Sequence, residues 1–111
     1  MYLPEDINDI LQNLREGEVL EFKKAQSNFS DSDRSDYCAA IANEGGGRLL
    51  LGVTNERHIV GTGVYTGTIN KIPQEIYTQI RIEVSVEEVN HPNGRVGVFD
   101  IPPRPVGGRI K

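Results

Sequence analysis

Tryptophan is absent from this 111-residue chain, and cysteine and methionine occur once each. A single cysteine, Cys38, excludes an internal disulfide and a cysteine-rich zinc site, and it suits a reducing cytoplasm. Aromatics make up 6% of the residues, so the core is modest and the length allows one domain, read as 1–111. No apolar run approaches the ~20 residues of a membrane-spanning helix. The acidic opening, Met1 to Asp9, lacks the apolar stretch of a signal peptide. There is no lysine-rich tail to hold phosphate without specificity. The two histidines, His58 and His91, lack any metal-ligand spacing.

What is present is unevenly distributed. The net charge is −4. Residues 1–21 hold six acids and one base, and the rest of the chain sums to +1. The acidity therefore sits in the leading segment and leaves room for a local basic surface elsewhere.

Ile7, Ile10, Leu11 and Leu14 recur at helical spacing and predict a helix over 4–16, with Pro4 in its first turn and Gly17 as its stop. Val19 to Lys23 predicts a strand with Leu20 and Phe22 on one face and Val19, Glu21 and Lys23 on the other. A helix follows, capped by Asp31, Ser32 or Asp33 and running to Asn43, with Tyr37, Ala40 and Ile41 inward and Cys38 packed inside. Arg48 to Val53 is a continuous apolar run, expected to be a strand covered on both faces. His58 to Gly61 reads as its return strand. Pro73 belongs in the first turn of a third helix that carries Ile76 and Ile80. Ile82, Val84 and Val86 alternate inward. His91-Pro92-Asn93-Gly94 predicts a hairpin leading to Val96–Ile101. Slips in alternation at Glu87-Glu88 and Val98-Phe99 predict a bulge. The fold class is α+β, a mixed and mainly antiparallel sheet of about five strands with two to three helices on it.

The run Gly45-Gly46-Gly47 is not a phosphate loop by its position. It follows a helix and opens a strand, whereas a phosphate loop does the reverse. Its simplest role is a left-handed helix stop, and its other role is close approach to a partner's backbone. Glu16, Glu18, Glu21 and Lys23 form the densest polar cluster. Two carboxylates can hold a divalent cation, and a neighbouring lysine can stabilise phosphate charge. Taken alone, the cluster reads first as a solvated strand edge with an ion pair, since surface charge clusters are usual.

The segments GEVLEFKKA (17–25), YCAAIANEGGGRLLLGV (37–53), HIVG (58–61) and NGRVGVFDIPPRPVG (93–107) resemble the Schlafen/AlbA-type DNA-binding domain. That domain opens bacterial transcriptional regulators and helicase-related proteins, some of them divergent AAA proteins. The resemblance implies a cytoplasmic nucleic-acid-binding module, DNA ahead of RNA, at the N-terminal end of a longer polypeptide with further C-terminal domains. It gives weak support to ATP binding. Lys23, Lys24 and Arg48, with Arg57 and Arg104, are then the expected phosphate contacts, and Gly45, Gly46 and Gly47 admit the backbone. The lysines and Arg48 are expected to converge on one concave face. No cofactor and no membrane are expected, and a homodimer is allowed. Val96 to Ile101 would be an exposed edge if a last strand were missing.

One alternative is a dimerisation or structural domain of a larger regulator, and the other is a metal-dependent endoribonuclease of Schlafen type. For the endoribonuclease, the resemblance puts Glu16, Glu21 and Lys23 at the site, with Mg or Mn as cofactor. The third acid expected after Gly52-Val53 is absent, since Thr54-Asn55 stands there and Glu56 comes one step later. This departure points away from an enzyme.

Overall fold

Leu49, Leu50 and Leu51 are the centre from which the fold is built. All three are buried, yet Leu49 and Leu51 join one apolar cluster and Leu50 joins another. That is the mark of a strand covered on both faces. The computed structural model describes residues 1–12 and 19–104.

Eight described segments follow in order. They are helix α1 (Pro4–Gln12), strand β1 (Val19–Lys23), helix α2 (Asp31–Asn43), strand β2 (Gly47–Leu51), a 3-10 turn (Ile69–Lys71), helix α3 (Ile72–Ile80), and strands β3 (Ser85–His91) and β4 (Gly94–Ile101). The described sheet has four strands in the order β1-β2-β4-β3. β1 and β2 are parallel, with Val19 opposite Gly47 and Lys23 opposite Leu51. Parallel neighbours need a crossover, and α2 provides it. β4 pairs antiparallel with β2 and with β3.

α2 and α3 cover one face. Cys38 and Ile41 of α2 and Ile72, Ile76 and Ile80 of α3 pack on Leu49, Leu51, Phe99 and Ile101. α1 covers the other face, where Ile7 meets Leu50, Val96 and Val98. β1 is split likewise: Val19 packs on the α2 side and Phe22 on the α1 side.

Several expectations change. β3 and β4 keep one unbroken register from Ser85–Asp100 to His91–Gly94, so there is no bulge. The slip in pattern has another cause: Phe99 and Ile101 face one cluster while Val96 and Val98 face the other. β4 is an interior strand, not an edge. The return strand at His58–Gly61 shrinks to one bridge, Val53 with Ile59. The α2 cap is Ser30, whose hydroxyl accepts the Asp33 N–H at 3.0 Å. Ala40 is exposed, and the buried stripe of α2 is Arg34, Cys38, Ile41 and Ala42. The predicted end of the first helix, Leu14 to Gly17, lies outside the described residues.

Candidate functional site

β1 and β2 run side by side and end together at Lys23 and Leu51. In open sheets with parallel strands, the carboxyl ends are the usual place for ligands. The side chain of Lys23 lies on the α2 side of β1. Its Nζ is 3.6 Å from Glu21 Oε1 and 4.4 Å from the centre of the Tyr37 ring. The hydrogen bond with Tyr37 raises the Lys23 pKa above the usual lysine value, and the Glu21 charge adds to it. Lys23 is therefore a firmly protonated cation resting on an aromatic ring. Phe29 stacks beside Tyr37, with centroids 6.1 Å apart. Lys24 is exposed and makes no ion pair with any described residue.

Arg48 lies elsewhere. It is opposite Leu20, three positions before the carboxyl end of β2. Alternation with Leu49 turns its side chain to the α1 side. Its Nε donates to Asp100 Oδ1 at 3.0 Å and to the Tyr2 hydroxyl at 2.9 Å. The Tyr2 hydroxyl in turn donates to the Asp100 carboxylate at 2.7 Å. Burial first, and the neighbouring Asp100 second, raise the Tyr2 pKa. The expected convergence of Lys23 and Arg48 on one face does not occur. Odd and even positions of adjacent strands, in this register, point to opposite sides of the sheet.

Arg57 also serves α1. Its Nη1 donates to the Leu11 carbonyl at 2.8 Å, and its guanidinium lies 5.8 Å from the Phe22 ring centre. Arg104 is exposed beyond β4, and its backbone N–H donates to the Ala42 carbonyl at 2.9 Å.

The glycine run closes α2. Gly45 is left-handed (φ 106°), its N–H donates to Ala42, and the Gly46 N–H donates to Ile41 at 2.9 Å, which is a Schellman cap. Gly46 and Gly47 have backbone against them: a Cβ would lie 2.8 Å from the Pro103 nitrogen at Gly46 and 2.0 Å from the Val19 oxygen at Gly47. Only at Gly45, among these three, would a Cβ meet nothing within 4 Å.

Of the acids named for the alternative site, Glu21 is described and Glu16 lies outside the described residues. Asn55 and Glu56 are exposed in the turn after β2. Among the described residues there is no group of three His, Cys, Asp or Glu able to hold a metal ion. Glu21 is a single carboxylate already paired with Lys23, so the described residues do not by themselves fit a divalent cation. His91 is held by Asn8 at 2.8 Å and by the Asn93 N–H at 3.0 Å.

Sequence reasoning overlooked Arg34, which is wholly buried between α2 and α3. Its Nη1 is 3.3 Å from Asp31 and from Glu75, and it faces the Tyr65 ring at 5.5 Å. The signal for it was its spacing: Arg34, Cys38 and Ile41 fall at i, i+4 and i+7. Phe29 falls in a stretch with a loop pattern, and from just before the Ser30 cap of α2 it stacks on Tyr37 of that helix.

A family model described as Schlafen, AlbA_2 matches residues 16–107. No curated protein matches the chain. Among solved structures, the DIP2311 protein of Corynebacterium diphtheriae is similar at 21% identity and a TM-score of 0.63, over 91% of this chain and 22% of that one. The N-terminal domain of a RecG-related helicase protein from Nitrosomonas europaea is similar at 20% identity and a TM-score of 0.62, over 96% of this chain and 77% of that one. The chain thus spans about a fifth of the Corynebacterium protein, and at these identities the two likenesses speak to fold alone. No described helix is long and apolar enough to cross a membrane.

Proposed function

The chain belongs to the Schlafen, AlbA_2 family, and on that premise we propose that it is a nucleic-acid-binding module, DNA ahead of RNA, of a bacterial-type transcriptional regulator. The observation that carries this reading is the cation pair at the carboxyl end of β1. Lys23 is held over Tyr37, and the exposed Lys24 beside it has no partner among the described residues. A phosphate there meets the ammonium of Lys24 without displacing an internal ion pair of that residue, and Lys23, the preceding residue, adds positive charge nearby. The name of the Nitrosomonas protein, which includes a DNA helicase, agrees with such a ligand. Arg48 and Arg57 act in holding α1 to the sheet, and Arg104 is a separate exposed base.

The test is a titration of labelled DNA and RNA at low and moderate salt. Lys24→Ala and Lys23→Ala weaken binding and lower the salt slope by about 0.9 for each duplex DNA phosphate they leave unneutralised. Arg48→Ala leaves the affinity unchanged. The reading fails if the lysine variants bind as the wild type does.

One observation favours a second reading. The Glu21–Lys23 pair, 3.6 Å apart, sets side by side two of the three groups that the resemblance to a Schlafen-type endoribonuclease names. Incubation of tRNA with Mg or Mn tests it. Cleavage lost in Glu21→Gln supports it, and intact tRNA at every metal concentration removes it.

A further inference from the structure

The chain that leaves β1 is pinned by its backbone and free in its side chains. The Lys23 carbonyl accepts the Gly52 N–H at 2.8 Å, and the Gln26 carbonyl accepts the Gly63 N–H at 2.9 Å. Between them, the Ala25 carbonyl accepts the Thr62 hydroxyl. Thr62 is itself buried, and Arg95 Nη1 donates to the carbonyls of Thr62 and Val64, both at 2.9 Å. Ala25 is held at φ 38°, a left-handed conformation that L residues avoid. On this fixed ledge Lys24, Gln26, Ser27 and Asn28 are exposed, and their side chains bond to no described residue. A rigid backbone presenting uncommitted polar side chains is how scaffolds build binding loops. The ledge leads directly to the half-buried Phe29, stacked on Tyr37.

Charge limits what the ledge can hold. Four of the described cations, Lys23, Arg34, Arg48 and Arg95, have carboxylate partners. Lys24, Arg57, Lys71, Arg81 and Arg104 pair with no described acid, they belong to five different segments, and Arg57 is bonded to the Leu11 carbonyl. Duplex binding draws on a row of phosphate contacts. Unpaired strands can instead be held by stacking on aromatic rings, with amide side chains on the exposed base edges.

We infer that the ligand of this ledge is single-stranded nucleic acid, with a base stacked on the Phe29–Tyr37 pair, Lys24 on a phosphate, and Gln26 and Asn28 on base edges. This rests on the nucleic-acid-binding reading above and narrows it.

The experiment compares fluorescein-labelled DNA and RNA strands of about 12 nucleotides, single and annealed, by anisotropy with the whole chain. Single strands bind at least about tenfold more tightly than duplexes, and Phe29→Leu and Tyr37→Leu each lose about tenfold. Tyr37→Phe keeps the ring and the affinity. Tyrosine emission, unmixed with tryptophan, is quenched on binding, and less so in Tyr37→Phe. The exposed pair Gln26→Ala/Asn28→Ala folds normally and loses affinity for single strands. Equal affinity for duplex and single strand, or wild-type affinity in Phe29→Leu and in the Gln26/Asn28 variant, overturns the inference. Duplex binding that needs Lys24 but ignores Phe29 leaves the module reading intact and removes this one. Absence of binding to any strand removes both.

Discussion

The two faces of the sheet spend their charges differently. On the α1 side, Arg48, Asp100 and Tyr2 close on one another and Arg57 closes on the end of α1. On the α2 side, Arg34 is buried against Asp31 and Glu75, but Lys23 is half committed, and the ledge that follows β1 carries side chains with no described partner. The first arrangement fastens a short helix of nine residues that buries a single side chain, Ile7. Such a helix is marginal unaided, and polar fastening at its ends offsets that weakness. The second arrangement has the 13-residue α2 and the larger cluster beneath it, and can leave its rim open. Basic residues therefore do not announce a binding face. Whether a cation is committed decides that.

The seam between β1 and β2 supports both faces, so the largest effect is expected there. Gly47→Ala drives a Cβ into the Val19 carbonyl, far inside van der Waals contact. β1 must part from β2, at a cost of about 3 kcal/mol or more. Urea unfolding measures it, and a loss below about 1 kcal/mol would show that the seam yields and that the faces are less tightly joined. Gly45→Ala, with open space but φ 106°, makes the control and costs about 1 kcal/mol.

The next effect probes the α2-side core by pH. Burial pushes the Cys38 thiol up to about 12 from a reference of 9.0. The folded form then keeps its proton where the unfolded chain loses it. Stability is fully present below the unfolded value and falls as pH rises toward the folded one. Near pH 10.5 the deficit is about 2 kcal/mol. Unfolding midpoints near pH 8 and pH 10.5 should separate in the wild type by that much more than in Cys38→Ala. Equal separations would mean that water reaches the thiol.

Arg48→Met tests the closed face. The bonds it removes are charged but partly exposed, with Arg48 at 18% and Asp100 at 38%, so the cost is about 1–2 kcal/mol. Oligonucleotide affinity should not change. A fall in affinity with stability intact would reverse the comparison and return Arg48 to the ligand.

Much of this fold was legible, and the exceptions share a cause. Helical spacing found α1 through Ile7 and α3 through Ile76 and Ile80, and Pro92-Asn93-Gly94 marked the hairpin. Leu49–Leu51 announced a strand covered on both sides. The same double cover disguised β4, because a strand with two apolar faces imitates a bulge when one alternation is assumed. For the site, the motif residues were visible but their parity across strands was not. Leu20 and Arg48 share a register position, which depends on a pairing that sequence spacing does not fix. The Thr62–Ala25 bond joins segments far apart in the chain, and no local pattern encodes it.

The smallest effect on stability is the most informative one. Lys24 is exposed and unpartnered among the described residues, so Lys24→Ala should shift unfolding by no more than about 0.5 kcal/mol. Lys23→Ala removes a cation seated on Tyr37 and paired with Glu21, and so should cost somewhat more. If the α2 side is the open face, affinity follows the reverse order: Lys24→Ala loses more binding than Lys23→Ala, because the ammonium of Lys24 has no internal partner to leave. Anisotropy titrations at two salt concentrations, run with urea unfolding of the same preparations, check both orders together. If the two variants rank alike in stability and in binding, an internal partner does not govern which cation meets phosphate, and the contrast between the faces loses its meaning.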